Sequence, residues 1–70
     1  MQEIPVSSSL IARAAYDAEA QELYLTFKGN GARWVYSTVD QATADAFAGA
    51  SSAGQFFLQS IKGAYPERRG

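Results

Sequence analysis

The sequence predicts an α+β domain: a three-stranded antiparallel meander followed by two short helices packed on one sheet face. Three observations carry this. Glu22 to Phe27 alternates apolar and polar residues with a period of two. Lys28-Gly29-Asn30-Gly31-Ala32 then supplies a tight-turn signal ahead of a second alternating run. Beyond Val39 the apolar spacing lengthens to about 3.6 residues, the period of a helix.

The elements follow in order. Residues 1–9 read as an extended lead-in, because Pro5 biases Ile4 away from helix and Ser7-Ser8-Ser9 marks a loop. Leu10 to Tyr16 reads as the first strand, with Leu10, Ala12, Ala14 and Tyr16 on one side and Ile11, Arg13 and Ala15 on the other. Its three alanines have weak strand propensity, so a helix competes for this segment. Asp17-Ala18-Glu19-Ala20 is a polar turn. In the second strand Leu23, Leu25 and Phe27 face inward, while Glu22, Tyr24 and Thr26 face the other way. Asn30-Gly31 tolerates the positive φ of a hairpin turn, and Arg33 to Ser37 is the returning strand.

Two helices come next. The first carries Val39, Ala42, Ala46, Phe47 and Ala50 on one side, takes Asp40 in its first turn and ends at Gly49. Ser52-Ala53-Gly54-Gln55 fits a capping box, which starts a second helix with Phe57, Leu58, Ile61, Ala64 and Tyr65 on its apolar face. Pro66 stops it, and residues 66–70 read as a frayed tail.

The 70 residues make a single domain, 1–70. A chain of this size buries only roughly 60% of the surface its unfolded form exposes, so its core must be rich in large side chains. A hydrophobic fraction of 47%, with four Phe, four Tyr and one Trp, meets that demand. With no cysteine the fold has no disulfide, and the expected location is the cytoplasm. No apolar run approaches the ~18 residues of a membrane span, so no membrane partner is expected.

Absence of both histidine and cysteine removes Ser–His and Cys–His catalysis and the usual metal ligands. No enzymatic role, cofactor or metal is therefore expected. The Asp17, Glu19 and Glu22 cluster reads as a solvated turn, since a calcium loop needs more oxygen ligands in a fixed order. Ser7-Ser8-Ser9 has no base beside it and reads as a backbone-capping loop. Gly29-Asn30-Gly31 is too short for a phosphate-binding loop and lies between strands.

Trp34 and Tyr36, two residues apart, share one strand face. That face either closes the core or offers a stacking platform. In a meander the first turn gathers Asp17, Glu19 and Glu22, and the second gathers Lys28 and Arg33. The domain is thus polarised despite a net charge of −1. If the second helix runs back toward the Gly-Asn-Gly turn, Lys62, Arg68 and Arg69 join the basic pole. Phe56 and Phe57 point roughly 100° apart on a helix, which leaves one of them free for contact.

The ordered set Val6-x-Ser8-Ser9, Tyr16-Asp17, Leu23-x-Leu25-x-Phe27, Gly31, Trp34-x-Tyr36, Val39, Ala50-x-Ser52-x-Gly54, Phe57, Ile61-Lys62 and Tyr65 resembles the KTSC domain family. That family is named for the C-terminus of some lysyl-tRNA synthetases and also occurs as small stand-alone bacterial and phage proteins. Its central Tyr-x-Tyr is here Trp34-x-Tyr36, which keeps a flat ring and loses one phenol. Its asparagine after the paired aromatics is here Leu58. The synthetase connection implies RNA as a partner.

Two functions are expected from residues and resemblance together. The first is a non-enzymatic recognition module that binds RNA or single-stranded nucleic acid through Lys28, Arg33, Trp34 and Tyr36, where bases stack and cations hold phosphates. The alternative is a protein-binding module, or small regulator, that docks on a larger enzyme or complex through Tyr24 or Phe56. An exposed sheet edge also permits two copies to pair.

Overall fold

The computed structural model describes all 70 residues. Its strands are β1 (Gln2–Ile4), β2 (Ile11–Asp17), β3 (Glu22–Phe27), β4 (Arg33–Tyr36) and β5 (Glu67–Arg69). They form one antiparallel sheet in the order β1-β2-β3-β4-β5. The predicted meander is the centre of this sheet, and the α+β class holds. The three-stranded count does not. The lead-in contributes β1, and the expected frayed tail is the edge strand β5, pairing Trp34 with Arg69 and Tyr36 with Glu67.

Turn chemistry sets the meander. Gly31 has φ 68°, the left-handed region that glycine enters at no steric cost. Asn30 Oδ1 accepts from the Ala32 N–H at 2.9 Å, and Gly31 N–H closes on the Phe27 carbonyl at 3.0 Å. At the opposite end Asp17 Oδ1 accepts from Glu19 N–H at 3.1 Å and Ala20 N–H at 3.3 Å. The Asp17 carboxylate is thus engaged in closing its own turn.

The first strand differs from the alternation read in its sequence. Register shifts between Ile11, opposite Phe27, and Arg13, opposite Thr26. The extra residue is Ala12, and a bulge resets which side chains face in. Ile11 therefore joins Ala14 and Tyr16 in the core, while Ala12 is exposed.

Helix α1 (Gln41–Ala48) is capped by Asp40, whose Oδ1 accepts from the Thr43 N–H at 2.9 Å. It ends at Gly49, as its sequence predicts. Its buried side chains are Ala44 and Phe47; Ala42 and Ala46 lie in solvent and Ala50 is half-buried. Alanine fits either face of a helix, so the large Phe47 sets the orientation. Helix α2 (Ala53–Phe56) starts at Ser52, whose Oγ accepts from Gln55 N–H at 3.2 Å. It continues into a π-turn over Phe57–Ile61, closed by Lys62 N–H on the Phe57 carbonyl at 2.8 Å. The helix stops there rather than at Pro66. Lys62 turns extended, and Gly63 takes φ 80°, which redirects the chain into β5. No helix is long and apolar enough to cross a membrane.

One core joins the sheet to the helices. Its members include Ile11, Tyr16, Leu23, Leu25, Tyr36, Val39, Phe47, Phe57 and Ile61. Phe57 is its aromatic hub, 5.2 Å from the Phe27 ring centroid and 5.5 Å from that of Tyr36. The opposite sheet face carries no helix. There Arg13, Thr26 and Arg33 stand side by side across three strands, next to Ala15, Tyr24, Val35 and Arg68.

Candidate functional site

Period two places adjacent strand residues on opposite faces, and this decides where the expected site residues go. Trp34 stands opposite Leu25 and Tyr36 opposite Leu23, so both aromatics face the helices. Tyr36 is buried core. Trp34 is half-buried, and the Arg69 guanidinium lies 5.3 Å from its ring centroid. That separation is within cation–π range. Arg33 stands opposite Thr26 on the outer face and lines a cleft of about 280 Å³ with Arg13 and Tyr24. Lys28 lines a separate polar hollow beside Ser7, Ser8 and Ser9. Arg33 therefore stands on the face opposite Trp34 and Tyr36, while Lys28, between the groove-lining Phe27 and Gly29, borders a different hollow.

The protein-contact candidates are also apart. Tyr24 is on the outer face, its hydroxyl donating to Glu22 Oε1 at 2.7 Å. Phe56 is half-buried edge-on against Phe47, with centroids 5.9 Å apart. The exposed large apolar side chain here is Leu58, two residues on in the π-turn, at 54%.

What the fold does assemble is a groove of about 490 Å³ on the helix side of the Gly-Asn-Gly hairpin. Phe27, Trp34, Tyr36 and Phe57 line it from the sheet and core. Leu10 and Leu58 add aliphatic surface. Lys62 and Glu67 bring one charge of each sign. Leu58 and Glu67 come from the C-terminal third, and nothing in their local sequence pattern links them to the hairpin. The π-turn and β5 bring them there.

The basic pole is reduced in the same way. Lys62 does lie at the hairpin and Arg69 does reach Trp34. Arg68 instead crosses the outer face to Glu22 Oε2 at 2.9 Å and Ser37 Oγ at 3.2 Å. The Arg68 guanidinium and then the Tyr24 hydroxyl hold the Glu22 carboxyl below its usual range. Ser8 is a backbone cap, its Oγ accepting from Leu10 N–H at 3.0 Å and Ile11 N–H at 3.2 Å. No cluster of three or more acidic, histidine or cysteine side chains is placed to hold a metal ion.

Three tyrosines are pushed upward. Burial and then the adjacent Glu67 charge raise Tyr36 to about 12. Burial, followed by Asp40, Asp45 and Asp17, raises Tyr16; for Tyr24 the bond to Glu22 comes first. An acid raised in the folded state keeps a proton that the unfolded chain has lost. Its stabilising contribution is complete below pH 10.0 and is lost as pH rises toward about 12. Urea midpoints should therefore be level at neutral to mildly alkaline pH and fall steadily above it. A midpoint unchanged up to pH 12 contradicts the Tyr36 environment.

The KTSC domain model matches residues 7–65. The chain belongs to the KTSC domain family. The crystal structure of a KTSC domain protein from Yersinia pestis is 35% identical and superposes with a TM-score of 0.90, over 99% of this chain and 96% of that one. No curated protein matches. The Trp34-x-Tyr36 centre of this KTSC domain thus faces its helices, with the groove beside it.

Proposed function

We propose that this KTSC domain is a non-enzymatic recognition module whose groove beside Trp34 receives an apolar side chain of a protein partner. The composition of the groove carries the reading: four aromatic rings and two leucines, against three charged side chains, Lys62 and Glu67 on its wall and Arg69 over the Trp34 ring. Its volume of about 490 Å³ falls in the range of specific ligand clefts. A nucleic-acid strand needs a track of like-signed cations beside its stacking surface. Arg33 lies on the opposite face, Arg68 is paired with Glu22, and the net charge is −1. These features favour protein over nucleic acid. The absence of histidine and cysteine supports the non-enzymatic part.

The test is a phage-displayed peptide library selected on the intact domain. Selected peptides should share one aromatic or aliphatic anchor and alter Trp34 fluorescence. Leu58→Asp should weaken them roughly tenfold, because it places a charge in an apolar contact. Affinity should change little between about 50 and about 500 mM salt. Failure to select any anchored peptide, together with salt-sensitive quenching of Trp34 by single-stranded oligouridine, replaces this reading with nucleic-acid binding.

A further inference from the structure

A five-stranded open sheet has two edges, here β1 and β5. Edges are templates for pairing, and charged side chains on them restrict which strand can be added. The β5 edge carries Glu67, Arg68 and Arg69. Its hydrogen-bond phase is fixed by two bonds flanking the strand: Gly70 N–H to the Arg33 carbonyl and Ser37 N–H to the Pro66 carbonyl, both 2.9 Å. Antiparallel ladders use alternate residues, so Arg68 bonds inward to Val35. Glu67 and Arg69 therefore turn their backbone N–H and C=O groups outward, away from the sheet.

We infer that β5 is a self-pairing edge, on which a second copy of this chain adds its own β5 antiparallel about a two-fold axis at Arg68. In that register Glu67 of each copy faces Arg69 of the other. Both residues are the ones with outward backbone groups, so each of the two pairs exchanges two hydrogen bonds. Both pairs also place opposite charges directly across the ladder. Other registers lose this match. A shift by two sets Glu67 against Glu67 or Arg69 against Arg69, and parallel pairing aligns like residues throughout. The central Arg68 pair is relieved because each Arg68 reaches back across its own sheet to Glu22 at 2.9 Å. The β1 edge lacks this property, since a two-fold at Glu3 sets Gln2 against Ile4, a pair with no opposite charges to match. A three-residue strand gives a small interface, so the dimer is concentration-dependent. The inference does not rest on the groove reading, because assembly is measured on the protein alone.

The experiment is sedimentation velocity up to about 1 mM, with amide hydrogen exchange on the same samples. The protein should shift from monomer to dimer. Glu67 and Arg69 N–H groups should gain protection with concentration, while Arg68 N–H is protected throughout. Glu67→Arg alone and Arg69→Glu alone should each weaken self-association by about tenfold, by replacing two attractive pairs with two repulsive ones. Mixing the two variants should restore dimerisation, because every facing pair is then again opposite in charge. Glu67 and Arg69 are exposed, and circular dichroism checks that both variants fold. Monomer at every concentration, open-ended polymer, or variants whose mixture behaves like either alone overturns the proposal.

Discussion

Phe57→Ala should destabilise the domain by about 3–5 kcal/mol, the usual cost of deleting a buried phenyl ring. A domain of this size holds only about 5 kcal/mol in total, so the variant should be largely unfolded near body temperature. Phe57 is 4% exposed and touches the rings of Phe27 and Tyr36. It also opens the π-turn that carries the chain toward β5. With Phe57 removed, the sheet and the C-terminal helix lose the side chain that joins them. Leu58→Ala provides the internal control. It deletes an equally apolar side chain one residue later, yet Leu58 is 54% exposed and should cost below about 0.5 kcal/mol. Urea denaturation followed by circular dichroism measures both. Similar losses for the two variants would contradict a buried Phe57 beside a solvent-facing Leu58.

That contrast also marks how far the sequence could be read. Phe56, Phe57 and Leu58 are three consecutive apolar residues, and helical periodicity alone does not decide which one faces solvent. A regular helix through Tyr65 makes Leu58 part of the apolar stripe. The π-turn and the break at Lys62 end that stripe at Ile61. The meander was legible because Leu23, Leu25 and Phe27 alternate cleanly and Asn30-Gly31 has few other uses. β1 and β5 were not, since three residues such as Glu67-Arg68-Arg69 carry no alternation and gain order only from β4. The bulge at Ala12 was hidden by alanines, which fit either face. Trp34 and Tyr36 share one face, as their spacing predicts. The period-two rule that puts them together also sends Arg33 to the other side, so the basic and aromatic features of the hairpin diverge.

Tyr16→Phe should cost about 1–3 kcal/mol although it removes a single oxygen. The Tyr16 hydroxyl donates to the Val39 carbonyl in the core, and Tyr16 and Val39 are 2% and 0% exposed. Phenylalanine keeps the ring and leaves that carbonyl without a partner in a dry site, which is the expensive way to lose a hydrogen bond. Val39 is held on its other side by its N–H, which donates to the Gln21 carbonyl at 2.9 Å. These two bonds fasten the link between β4 and α1 onto the first turn of the meander. The link contains Thr38 at φ 59°, and the turn contains Gln21 at φ 55°, both in the left-handed region that glycine tolerates better. Surrounding bonds must over-determine such residues. Adding Thr38→Gly to Tyr16→Phe should therefore return part of the loss, up to about 1 kcal/mol, by relieving the φ strain. Hydrogen exchange gives the local readout. Val39 N–H should lose protection in Tyr16→Phe, while the Leu23 and Leu25 amides of the central strand should follow only the global stability. A loss below about 0.5 kcal/mol, with Val39 N–H still protected, would mean that the hydroxyl does not secure this link.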